Sequence, residues 1–204
     1  MNALPHTGKW ILLMCLAAGI ITGCMTECMY TYASDEEFYC RKMLDAFVRE
    51  KADRLLLLGD ILYHGPRNDL PVEYAPKAVI SLLNERKDDI LCVRGNCDTE
   101  VDQMVLDFPI MADYCFVVDG NTTIFATHGH QFNEKNLPPL KKGTILLHGH
   151  THVPKCVRHE NYVYMNPGSV SIPKEDSCHG YMIFENNTFI WKRLDGTVWQ
   201  TYSS

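Results

Sequence analysis

Five short segments concentrate the side chains able to hold a cation or move a proton. They are Gly59-Asp60 with His64-Gly65-Pro66, Gly95-Asn96-Cys97-Asp98, Thr127-His128-Gly129-His130, Gly149-His150-Thr151-His152 and Asn166-Pro167-Gly168-Ser169. Together they offer carboxylate, amide oxygen and imidazole, a mixed oxygen and nitrogen set that suits manganese, iron, zinc or nickel better than calcium or magnesium. His150 and His152 are two residues apart, so on an extended segment both point to one side. The glycines beside these ligands leave room for a bound substrate to approach the backbone. Burying Asp60, Asn96, His128, His150 and His152 without a shared partner would cost about 1–3 kcal/mol per unsatisfied group, which argues against a purely structural role.

Other polar residues carry less. His6, His159 and His179 read as surface or satisfied core residues, and His148, two positions before His150, as structural. His130 reads as lining the site rather than as a ligand. His64 and Arg67 divide evenly between a phosphate pocket and a simple turn.

Residues this far apart must be gathered by the fold, and the elements before them suit that task. Glu36–Glu50 is an amphipathic helix with an apolar stripe of Phe38, Met43, Leu44, Ala46 and Phe47. Arg54–Gly59 is an unbroken apolar run, as expected for a strand covered on both faces. Pro76–Lys87 opens with proline in a first helical turn, and Ile90–Arg94 is another buried strand. With Met29–Ser34 as the first strand, this alternation implies a parallel sheet with right-handed crossovers. Ligands collect at the carboxyl ends of such strands, and four of the five segments directly follow one. The second half reads as short strands at Tyr114–Val118, Thr122–Thr127, Thr144–Leu147, Tyr162–Met165, Gly180–Glu185 and Thr188–Leu194, joined as antiparallel hairpins. The expected fold is an α/β, two-sheet α-β-β-α sandwich.

Composition narrows the partners. A net charge of −6 excludes a broad basic face for nucleic acid, while a small anion could still bind through a metal ion. Nine cysteines, an odd number with no C-x-x-C pair, read as reduced thiols of a cytoplasmic domain. Residues 10–23 form an apolar run too short for a membrane span. It is either a signal-like segment, with Cys24 in a lipoprotein-type cleavage box and a membrane attachment, or a non-native extension. The expected division is therefore an extension at 1–28 and a folded domain at 29–204.

The ordered set GD…GNCD…THGH…GHTH…NPGS resembles the calcineurin-like metallophosphoesterase superfamily. LGDILYHGPRNDLP, VRGNCDTEVDQM and HGHTHVP…NPGSVSIPK are similar to its bacterial YfcE-type phosphodiesterases. The resemblance spans about residues 29–204. It implies a hydrolase of small phosphodiesters, with monoesters as a further class, using two divalent cations: manganese first, with zinc, iron or nickel as alternatives. By that resemblance Asp60 bridges the metals, Asn96, His128 and His150 complete one site, and His152 joins the other with a first-strand Asp-x-His. A hydroxide between the ions attacks phosphorus. Asn96, Asp98 and His130 are the expected catalytic residues, with Cys97 where other branches carry a histidine. The first motif departs from the pattern: Asp35 holds the carboxylate position, but Glu37 stands where histidine is expected. The resemblance thus also implies a second reading, a degenerate scaffold similar to the small subunit of the retromer coat. A mononuclear structural zinc protein is weakest, since no thiolate cluster accompanies the histidines. Self-association stays open.

Overall fold

The computed structural model describes residues 8–13, 35–62 and 75–203. Two mixed sheets pack face to face. The first has the order β11-β10-β9-β1-β2-β3 and the second β4-β5-β6-β8-β7. Strands β1 (Trp10–Leu13), β2 (Arg54–Leu57) and β3 (Ile90–Cys92) run parallel and are joined to β9 (Gly180–Glu185), β10 (Thr188–Arg193) and β11 (Val198–Ser203), which are antiparallel. The second sheet holds β4 (Tyr114–Asp119), β5 (Thr122–Thr127), β6 (Thr144–His148), β7 (Lys155–Arg158) and β8 (Tyr162–Asn166).

Two features differ from the sequence reading. Trp10–Leu13 is not an appendage: it pairs with β2 on one side and β9 on the other, in the middle of the first sheet. An apolar run scores alike as a leader or as a doubly covered strand, and only its neighbours distinguish the two. The expected strand at Met29–Ser34 lies outside the described residues. Second, β5, β6 and β8 run parallel, where hairpins alone were expected. Hairpins do occur at β4–β5, β9–β10 and β10–β11. The parallel trio brings the ends of β5, β6 and β8 to one rim.

Alternation along β2 builds two cores. Leu55 and Leu57 face helix α1 (Asp35–Glu50) and helix α2 (Pro76–Asn84), against Cys40, Met43, Phe47, Val79 and Leu83. Leu56 and Leu58 face the other sheet, against Ile124, Ala126, Ile145, Leu147, Met182, Phe184 and Trp191. Trp191 is fully buried, and its indole N–H donates to the Asn166 carbonyl at 2.8 Å, tying the two sheets together. The α1 spacing of Cys40, Met43 and Phe47 is the apolar stripe of an amphipathic helix. Helix α2 starts at proline, whose missing N–H is not needed in a first turn. A short helix, α3 (Glu100–Gln103), follows the Asn96 segment with Thr99 and Asp102 forming a capping box. No helix among the described residues is long and apolar enough to cross a membrane.

Candidate metal centre

The chain leaves β2 through Gly59-Asp60 and β3 through Gly95-Asn96, and these two turns touch. A Cβ on Gly95 would lie 2.1 Å from Asp60 Oδ1 and 2.3 Å from the Asp60 amide nitrogen. One on Gly59 would lie 2.3 Å from the Gly95 nitrogen. Neither position admits a side chain, so the glycines in both motifs are what let Asp60 and Asn96 approach. Asp98 locks the pair. Its Oδ2 accepts the amides of Asp60 at 2.8 Å and Gly95 at 2.7 Å, and its Oδ1 accepts that of Ile61 at 2.9 Å. Burial nevertheless raises the Asp98 pKa, against the pull of those amides. The Cys97 amide donates to Asp60 Oδ1 at 2.9 Å, and Oδ2 lies 3.3 Å from His128 Nε2.

His128, at the end of β5, is 0% exposed. Its Nδ1 lies 2.6 Å from the Leu58 carbonyl, which fixes the proton there and leaves Nε2 as a lone pair. That lone pair is 3.0 Å from Asn96 Oδ1, 3.0 Å from His150 Nδ1 and 3.3 Å from Asp60 Oδ2. The Asn96 amide nitrogen is turned to Cys97 Sγ at 3.0 Å, so its oxygen faces the cluster. Asn96 Oδ1, Asp60 Oδ2 and two imidazole nitrogens thus converge on one point, an arrangement that suits a cation. Two ligands each about 2.1 Å from one ion, at near-octahedral or tetrahedral angles, sit about 3.0–3.4 Å apart, and these separations fall in that range. No group of three histidine, cysteine or carboxylate side chains among the described residues forms a ready cage. The Asn96 amide oxygen stands beside Asp60, His128 and His150 in this cluster.

Electrostatics agree with the donor chemistry. Burial pushes His128 down to about 3 and Asp60 up to about 7. Their 3.3 Å approach is therefore not an ion pair, because burial disfavours the charged form of both. A bound cation would remove the penalty on the carboxylate and keep the imidazole neutral.

Three of these side chains hang on strained backbone. Asp60, His150 and His152 have φ of 52°, 65° and 64°, in the left-handed region that non-glycine residues rarely adopt. Such strain costs about 1–3 kcal/mol per residue and persists where surrounding bonds over-determine it. Asn166 provides them for the histidine loop. Its amide donates to the Gly149 carbonyl at 3.0 Å and Thr151 Oγ1 at 3.1 Å, while its oxygen accepts the Gly168 amide at 2.9 Å. The fifth motif is thus a clasp rather than a reacting group. His152 donates from Nδ1 to the Ile172 carbonyl at 2.8 Å, which leaves Nε2 open, and burial holds the ring down at about 4. His130 stands 5.4 Å from His128, ring centre to ring centre, with its Nδ1 buried and without a hydrogen bond among the described residues.

The structure therefore gathers Asp60, Asn96, His128 and His150 into one cluster. Asp98, expected among the catalytic residues, is turned away from it: the carboxylate is 2% exposed and engaged by three backbone amides, so it shapes the turns. The Asp35 side chain, and His64 and Arg67, lie outside the described part of the molecule. Sequence reasoning did not find the Leu58 carbonyl that sets the His128 tautomer, since every residue has such a group and sequence carries no signal for it.

Comparison with known proteins agrees with this geometry. The model of the calcineurin-like phosphoesterase superfamily domain matches residues 35–188. The chain is 45% identical to phosphodiesterase YfcE of Escherichia coli K12 over 146 residues, covering 72% of this chain and 79% of that protein. Among solved structures, the E. coli phosphoesterase YfcE superposes with a TM-score of 0.82 at 35% identity, covering 96% of this chain and 98% of the other. Zinc-bound Vps29 from Entamoeba histolytica gives 0.55 at 16% identity over 95% and 98%, a likeness of fold alone. With its ligand cluster at the shared rim of two sheets, this chain belongs to the calcineurin-like phosphoesterase superfamily.

Proposed function

We propose that this protein hydrolyses small phosphodiesters with two divalent cations, manganese foremost. The observation that carries this reading is the His128 Nε2 lone pair facing Asp60 Oδ2, Asn96 Oδ1 and His150 Nδ1 within 3.3 Å, with its own Nδ1 committed to Leu58. When bound, the cations supply a nucleophile at neutral pH and offset the charge that builds on the phosphoryl oxygens. Asp60, Asn96, His128 and His150 would hold one cation, with Asp60 shared with the second. His152, through its open Nε2, and the carboxylate of Asp35 would hold the other.

The remaining residues orient and exclude. Asn96, exposed at the cluster edge, would hold the cation through its amide oxygen and orient a phosphoryl oxygen. His130 lines the site beside His128, where it would face the phosphoryl group. Asp98 and Asn166 keep the two ligand loops in place. With Asp98 sequestered and a thiol at Cys97, the leaving alcohol takes its proton from water, which favours esters of acidic alcohols. Glu37, where the resemblance expects a histidine, would weaken the second cation and lower turnover relative to family members with an intact first motif. None of the six described cysteines is in a disulfide, which supports a reducing, cytoplasmic setting.

The test is hydrolysis of bis(4-nitrophenyl) phosphate with added manganese, chelator and the His150→Ala protein. Turnover that manganese restores after chelation, and that the variant lacks, supports the reading. Full retention of structure with no turnover under any divalent metal would overturn it in favour of a non-catalytic scaffold.

A further inference from the structure

At the ligand-bearing rim, the outer face of the second sheet holds a cavity of about 480 Å³, lined by residues that include Gly129, His148, His150, Thr151, Lys155 and Tyr164. His150 belongs to both the cation cluster and this cavity wall. An organic group esterified to a phosphoryl at the cluster therefore reaches the cavity past a single side chain. A volume of this size suits a small-molecule group.

His148 closes β6 and is built tightly into the wall. It is 3% exposed and stacked on Tyr164, with ring centres 4.4 Å apart and planes 23° apart. A Cβ on Gly129 would lie 2.6 Å from its Nδ1, so the glycine of the Thr127–His130 motif makes room for this ring. Nδ1 faces the Gly149 carbonyl at 3.0 Å and donates to it, which leaves Nε2 an acceptor. That nitrogen is buried and has no hydrogen bond among the described residues. A phenylalanine would fill the same space and stack on Tyr164 without a buried acceptor to satisfy. The purely structural role expected for His148 from sequence thus leaves its second nitrogen unexplained.

We propose that this cavity receives the alcohol arm of the phosphodiester and that His148 Nε2 accepts a hydrogen bond from a hydroxyl on that arm. The substrates are then diesters of hydroxyl-bearing alcohols. This rests on the proposed phosphodiester chemistry for the position of the phosphoryl group, and adds which ester the site selects.

Calorimetric titration of the full chain with manganese, using methyl phosphate and glycerol phosphate as probes, tests it without turnover. The wild-type protein should bind glycerol phosphate about tenfold more tightly, the worth of one buried hydrogen bond. In His148→Phe the gap should close to about twofold or less. Lys135→Trp, at an exposed position lining the cavity, should close it by occupying the space. It serves as the second arm should His148→Phe fail to fold. Equal affinities in the wild type, or a gap that survives in a folded variant, would overturn the proposal. Bis(4-nitrophenyl) phosphate is assayed in parallel. Selective binding without turnover sinks the hydrolase reading and keeps the subsite, whereas turnover without selective binding does the reverse.

Discussion

The carboxylate of Asp98 fixes the turn that carries Asp60, taking the Asp60 amide hydrogen at 2.8 Å with one oxygen and that of Ile61 at 2.9 Å with the other. The same carboxylate takes the Gly95 amide, so one side chain sets the spacing between the two loops that supply Asp60 and Asn96. Replacing it by alanine leaves three buried amides without partners. We expect Asp98→Ala to lower stability by about 3 kcal/mol or more, at about 1–3 kcal/mol per orphaned group, and to weaken manganese binding with it. Thermal unfolding and metal titration on the same protein check this. An unchanged melting temperature would show that the carboxylate does not organise the turns.

Asn96 offers the cleaner test of ligation because it is exposed and its loss leaves no core cavity. Asn96→Ala should lower kcat/KM toward an activated phosphodiester by about a hundredfold or more, above the 10–100-fold typical of groups that only support a ligand. Its stability should stay within about 0.5 kcal/mol of wild type, as for other surface changes. Loss of activity together with a large drop in melting temperature would assign Asn96 to structure.

Protons and cations compete at Asp60. In the cation-free protein burial holds its carboxyl protonated up to about 7. His128 and His152, held down at about 3 and 4, are already neutral across the same range and do not contribute. Binding therefore releases the Asp60 proton below pH 7, and affinity falls as pH drops, by about tenfold per unit. Above that range it levels off. Manganese titrations at pH 6, 7 and 8 measure the slope. A flat profile between 6 and 7 would mean that Asp60 is already ionised.

Strand β1 gives a prediction about the amino-terminal part of the chain. Its backbone pairs with β2 and β9 at once, so Leu12→Pro removes a ladder hydrogen bond in the middle of a sheet. The loss should be about 3 kcal/mol or more. Removing residues 1–28, which the sequence reading treats as an extension, should be at least as damaging, because β2 and β9 then lose their common neighbour. Circular dichroism and soluble yield report the outcome. A truncated protein that folds normally would show β1 to be dispensable.

The elements that sequence located well are those with one dominant signal. Helix α1 and strands β2, β5 and β9 carry unmistakable apolar patterns, and the structure has them within a residue or two of the expected bounds. Among the elements it missed, β7 and β11 hold only exposed and half-exposed residues, as in Lys155–Arg158, which a solvent-facing loop matches as well. Strand β1 was hidden for the opposite reason, its apolarity being shared with a leader segment.

What the linear sequence determined is the inventory: which groups can bind a cation, that four of the five segments follow a strand, and that glycines accompany them, because side-chain chemistry and local period are properties of neighbouring residues. Tertiary structure decided how that inventory is used. The parallel run of β5, β6 and β8 placed His128 and His150 at one rim, and contact between the two sheets supplied the Leu58 carbonyl that sets the imidazole proton. It also turned Asp98 inward to the amides and set His148 in the wall of a cavity. Each of these depends on distances between segments tens of residues apart, which packing fixes and sequence spacing does not.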